Sequence, residues 1–94
     1  MPLFTGALAR GDAELAKAAV RALSGRAGGA ATRILAGAVG HVRWDVRRLA
    51  VQALAGRAGD PEVRAALAAR AAVETDPLVR EALAAALGTA APGA

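Results

Sequence analysis

The chain reads as an all-α protein, a short α-solenoid of antiparallel helix pairs, and three observations predict this. First, a helix-start signal recurs: Asp60-Pro61-Glu62-Val63-Arg64 returns as Asp76-Pro77-Leu78-Val79-Arg80, with weaker copies at Asp12-Ala13-Glu14-Leu15 and Trp44-Asp45-Val46-Arg47. An Asp in this place can accept from the open N–H groups of a first turn. Pro suits the next place because its missing N–H is not needed there. Second, the spacing has two levels. Val46, Val63 and Val79 lie 17 and 16 residues apart, whereas the closer match skips one helix: Ala22-Leu23-Ser24-Gly25, Ala53-Leu54-Ala55-Gly56 and Ala86-Leu87-Gly88 place their leucines 31 and 33 residues apart. Alternate helices are therefore equivalent, and the unit is a helix pair of a size common among helical solenoids. Third, nearly a third of the chain is Ala, and no alternating Val/Ile/Thr/Tyr run signals a strand.

Six helices follow in order. The first spans residues 2–10, with Phe4, Ala7 and Leu8 on one face and Gly11 as its stop. The second spans residues 13–24, with Asp12 as candidate N-cap, Gly25 past its end, and an apolar face of Leu15, Ala18, Ala19, Ala22 and Leu23. A glycine-rich loop leads to the third, residues 30–39, whose face is Ala31, Ile34, Leu35, Ala38 and Val39. The fourth runs from Trp44 or Asp45 to Arg57 with Val46, Leu49, Ala50, Ala53 and Leu54 inward. The fifth, residues 61–74, offers Val63, Ala66, Leu67 and Ala71, with Arg70 interrupting. The sixth, residues 77–87, repeats the full template with Val79, Ala82, Leu83, Ala86 and Leu87. Residues 1–88 thus form one helical repeat domain, and residues 89–94, small and Pro/Gly-containing, read as a flexible tail.

These residues resemble HEAT-like repeats, particularly the short bacterial kind of the phycobilisome-lyase type, whose unit is similar to D-P-x-V-R-x-x-A-x-x-A-L-G followed by a second helix. Asp76 through Gly88 matches that unit well; Val46-Arg47 through Leu54, followed by Gly56, matches next best. Leu15 through Gly25 is a looser copy with Ala16 where the family has Arg, and Arg43-Trp44 stands where Asp-Pro is usual. The resemblance implies that Asp60, Asp76, Arg47 and Arg80, with Arg64 as a further member, form a structural ladder between neighbouring repeats.

Composition bounds the function. Ninety-four residues suffice for one small core, and the net charge is +4. There is no Cys and a single His, so neither a disulfide nor a metal site of usual composition is expected. No apolar run is long enough to span a bilayer, and no secretory leader is evident, which makes the cytoplasm the default location. The hydroxyls of Thr5, Ser24, Thr32, Thr75 and Thr89 have no His and carboxylate in a recognisable arrangement, and no phosphate-binding glycine motif occurs. No enzyme and no cofactor are expected.

The function this supports is a protein–protein interaction module or scaffold that presents one row of aligned helices. Lys17, Arg48 and Glu81 occupy equivalent places along that row, and Arg21 lies beside them. The candidate contacts to a protein partner are Arg21, Arg48, Gln52, Trp44 and Lys17. Trp44 can serve either as a partner anchor or as a plug over the helix junction. Two alternatives remain open. One is a nucleic-acid module in which Lys17, Arg21, Arg26, Arg48 and Arg57 meet phosphates, although stacking aromatics are scarce. The other is a regulatory fragment of a larger enzyme. Phe4, Leu8, Leu83 and Leu87 on the first and last helices lack evident polar caps, so self-association through the solenoid ends is a further expectation.

Overall fold

The computed structural model describes residues 13–26 and 28–88. They form five α-helices: α1 (Ala13–Ser24), α2 (Gly29–Ala38), α3 (Trp44–Ala55), α4 (Pro61–Ala71) and α5 (Pro77–Leu87). No strand occurs among the described residues. The expected helix over residues 2–10, its Phe4 and Leu8, the Asp12 cap and the tail lie outside them.

The capping chemistry separates strong starts from weak ones. At α5 the Asp76 carboxylate accepts from the N–H groups of Leu78 (2.9 Å) and Val79 (3.0 Å), and at α4 Asp60 accepts from Glu62 (2.8 Å). In both, Pro follows at the first helical residue. α2 is preceded instead by Gly28, whose φ of 108° only glycine tolerates readily, and no side chain caps it. At α3 the N-cap position is held by Arg43, also without a side-chain cap. α5 ends at Gly88 in the left-handed conformation, φ 73°, where its N–H reaches back to Ala84 and Ala85 carbonyls.

The helices stack in two layers. α1, α3 and α5 lie side by side in one, α2 and α4 in the other. Of the sequential pairs, α2 packs closely on α3 and α4 on α5, whereas contact between α3 and α4 is slight. α3 therefore sits at the centre, against α1, α2 and α5. The core joins Val20 and Leu23 of α1, Leu35 of α2, Val51 and Leu54 of α3, Val63 and Leu67 of α4, and Val79 and Leu83 of α5.

Two inward faces differ from expectation, and in the same way. α1 buries Ala16, Ala19, Val20 and Leu23, while Leu15 is 53% exposed and Ala18 and Ala22 are exposed. At about 100° per residue this face is rotated by about 80° from the predicted one. α3 buries Val46, Ala50, Val51 and Leu54, leaving Leu49 and Ala53 half-buried. Val20 and Val51 are repeat equivalents that the predicted faces omit. Both first-layer helices have neighbours in two directions, beside them and beneath them. The buried arc therefore centres between those neighbours, not on the leucine-lined edge. α4 ends at Ala71, three residues short of the predicted boundary, which places Glu74 in a turn. At the end of the row, Leu83 is buried and Leu87 half-buried, so α5 leaves little of the apolar surface expected there.

Candidate interaction face

The first-layer row α1–α3–α5 carries the candidate contact residues on its polar side. Arg21 and Gln52 are exposed, Arg48 is half-buried, and Trp44, the first residue of α3, is 41% exposed. That exposure leaves Trp44 at most a partial plug over its junction. Two depressions run along the row. The one between α1 and α3, about 370 Å³, is lined by Val20, Arg21, Leu49, Gln52 and Ala53. The one between α3 and α5, about 270 Å³, is lined by Arg48, Gln52, Leu78, Glu81 and Ala85. Gln52 belongs to both, so the two form neighbouring compartments of one surface.

Lys17 plays a different part. Its ammonium lies 2.8 Å from Glu14 on its own helix and 3.2 Å from Asp45 at the start of α3. Hydrogen bonds to Glu14 and Asp45 hold its pKa above the ordinary lysine value. Burial pushes the Asp45 carboxyl up, but the Lys17 hydrogen bond and charge, with Arg43 beside them, outweigh it and hold the group below the usual range. The charge of Lys17 ties α1 to α3 and is not held ready for a partner.

The structural residues form links between helices, although not the expected Asp–Arg ladder. Asp60 and Asp76 direct their carboxylates to their own helix starts. Arg47 does bridge, but to Glu74: its Nε lies 2.8 Å from Oε1 and a terminal nitrogen 3.1 Å from Oε2. The same guanidinium donates to the His41 and Val42 carbonyls at 2.9 and 3.1 Å. Arg64 donates to the Leu87 carbonyl at 3.1 Å, closing the end of α5. Arg80 is exposed and makes no ion pair among the described residues.

Glu74 is the buried centre of this network, 3% exposed. Besides Arg47 it accepts from Arg70 Nε at 3.0 Å and from the N–H groups of Thr75 (3.1 Å) and Asp76 (3.0 Å). Burial alone would raise its pKa. The Arg47 hydrogen bond, the Asp76 N–H and the Arg70 hydrogen bond outweigh burial and hold the carboxyl down at about 2. The turn before α3 has a counterpart. His41, 7% exposed, stands 33 residues before Glu74, and its Nδ1 accepts from the Arg43 N–H at 3.0 Å, as Glu74 accepts from Asp76. Sequence reading missed both roles. The visible signal was a polar residue two places before each helix cap, at the repeat spacing.

Arg57 is the third link. It follows α3, and its guanidinium donates to Thr32 Oγ1 at 2.7 Å, to the Leu23 carbonyl at 3.0 Å and to the Arg26 carbonyl. It thereby closes the end of α1 and reaches the first turn of α2. The glycine-lined depression around it, about 660 Å³, is broad and open. Of the five cations offered to a phosphate backbone, Lys17 and Arg57 are thus engaged within the protein. Among the described residues no cluster of three metal-ligating side chains occurs, and no helix is long and apolar enough to cross a membrane.

Two layers of alternating, equivalent helices, tied by side chains that reach from one unit to the next, define a helical-repeat protein. The family model for HEAT repeats matches residues 1–88, and the chain belongs to that family. No curated protein and no solved structure gives a significant match. HEAT repeats generally mediate protein–protein interaction or scaffolding.

Proposed function

We propose that this chain is a non-enzymatic protein-interaction module acting in the cytoplasm, and that it presents the outer side of α1, α3 and α5 to another protein. The observation that carries this reading is the pair of adjoining grooves along that row. They share Gln52, and Arg21 and Arg48 line them without an ion pair among the described residues. Such a surface is already ordered, because its helices are fixed by the core beneath and by Arg57 and Lys17 between them. Binding there costs little conformational entropy. Arg is also a residue type enriched where binding energy concentrates.

The test is proximity crosslinking from position 52 in nuclease-treated cell extract, with the wild-type face and with Arg21→Glu combined with Arg48→Glu. A protein crosslinked by the first and lost with the second, while the circular dichroism stays helical, is the expected result. Retained crosslinking in the variant would remove this face from the interaction. Crosslinks that disappear on nuclease treatment would favour nucleic acid.

A further inference from the structure

Resting on the interaction reading above, we propose that the groove between α3 and α5 receives an acidic segment of the partner protein, with one of its carboxylates paired to Arg48. The starting observation is an orphaned donor. Arg48 Nε is buried and has no hydrogen-bond acceptor among the described residues. A buried donor left without an acceptor is costly, so any arrangement that supplies one is favoured. The other half-buried guanidiniums have found acceptors: Arg47 and Arg70 on Glu74, Arg57 on the α1 carbonyls. Arg48 differs in lining a groove.

The chemistry of that groove selects the occupant. Arg48 and Gln52 line it from α3, and Leu78, Glu81 and Ala85 line it from α5. Glu81 makes no ion pair with Arg48 although both line the same depression. A guanidinium presents Nε and one terminal nitrogen along a single edge that matches the two oxygens of a carboxylate. No acceptor tethers Nε, so rotation about the outer torsions of Arg48 can turn that edge into the groove. The alanine positions on α5 leave room for a second chain, and exposed Leu78 offers an apolar contact. A phosphate backbone fits this surface poorly, because its charges repeat and would meet Glu81 as well as Arg48. A protein segment can place a carboxylate at Arg48 and an apolar side chain against Leu78.

The experiment follows the arginine Nε–H and backbone signals of the whole chain by NMR. Three probes are added: a 15-residue helical peptide of Leu, Ala and Gln carrying a single Glu, its twin with that Glu replaced by Gln, and a 15-nucleotide thymidine oligomer. The expected result is movement of the Arg48 Nε–H signal with the Glu peptide, and binding roughly tenfold or more tighter than the Gln twin. Arg48→Gln should abolish that preference and Arg21→Gln should keep it, with Arg48→Lys intermediate. Equal binding of the twins, or no movement of Arg48, overturns the proposal. Movement confined to Arg21 and the α1–α3 groove also overturns it but leaves the interaction reading standing. Movement with the thymidine oligomer alone overturns both.

Discussion

In the turn before α5, Glu74 accepts from the N–H of the residue that caps the next helix; in the turn before α3, His41 does the same for Arg43. Both side chains are buried, and both stand two places before their cap. The side chains that stand at equivalent places around them differ. The carboxylate has Arg47 from α3 and Arg70 from α4. At the corresponding places for His41 the chain has Ala16, wholly buried, and Gly37. A buried carboxylate requires cations around it. Arg47 thus serves two turns at once: it holds the His41 and Val42 carbonyls before its own helix and pairs with Glu74 before the next one.

Truncation should separate the two turns most. Glu74→Ala leaves Arg47 and Arg70 facing each other without their acid and should cost about 3–5 kcal/mol. His41→Ala removes the acceptor of the Arg43 N–H together with some packing and should cost about 1–3 kcal/mol. Urea denaturation reads the gap, and equal losses would show that the guanidiniums are adequately hydrated once freed.

A cavity in the core sets the scale. Leu54→Ala hollows α3, which packs on α1, α2 and α5, and should cost about 2–5 kcal/mol. A neutral result would show that α3 is not the centre of the stack.

Acid offers a gentler separation. The Glu74 carboxyl is held at about 2 in the fold against 4.5 ordinarily. Its contribution is therefore full above about pH 4.5 and fades as pH falls towards 2, a loss on the order of 1–3 kcal/mol. Urea midpoints taken from pH 5 to pH 2 should fall, and Glu74→Gln should flatten the curve. Some slope should persist, because Asp45 is also held low and titrates in the same direction.

The smallest effect expected is a gain. A Cβ at Gly37 would meet nothing within 4 Å, so Gly37→Ala should stabilise α2 by about 0.5–1 kcal/mol. Thermal denaturation would detect it. A loss would mean that the place equivalent to Arg70 is kept open for packing not evident in the fold.

Much of this architecture was legible in the residues because its punctuation is chemical. Asp-Pro marked the starts of α4 and α5, and Gly25 and Gly88 marked two ends, so the boundaries of α1 and α5 were read correctly. Facing was less legible in α1. With alanine on several sides of the helix, the 3.6-residue period has little contrast, and aligning Leu15 with Val46 drew the face towards a leucine that is exposed. Val51 was passed over because it lies beside the expected stripe, where only packing against a second layer buries it. Of Lys17, Arg48 and Glu81, equivalent by repeat position, Arg48 and Glu81 line one groove while Lys17 is engaged with Glu14 and Asp45. Glu74 was hidden because, as a helix-terminal residue, it had no evident reason to be inside. Ion pairs across 27 residues follow from how units stack, which no local pattern encodes.

Arg57 has a consequence for how the molecule comes apart. Its guanidinium grips carbonyls at the end of α1 and the hydroxyl of Thr32 on α2, 25 to 34 residues back in the chain. In a linear array, each unit's survival depends on its neighbour through such contacts, and strong coupling makes the array melt as a block. A single side chain fixed at the end of α3 thus lets α1 share the protection of the central helix. Amide hydrogens in α1 would then exchange with deuterium on nearly the same clock as those in α3. Replacing Arg57 by methionine would uncouple the clocks, and the stack would open from one side instead of all at once.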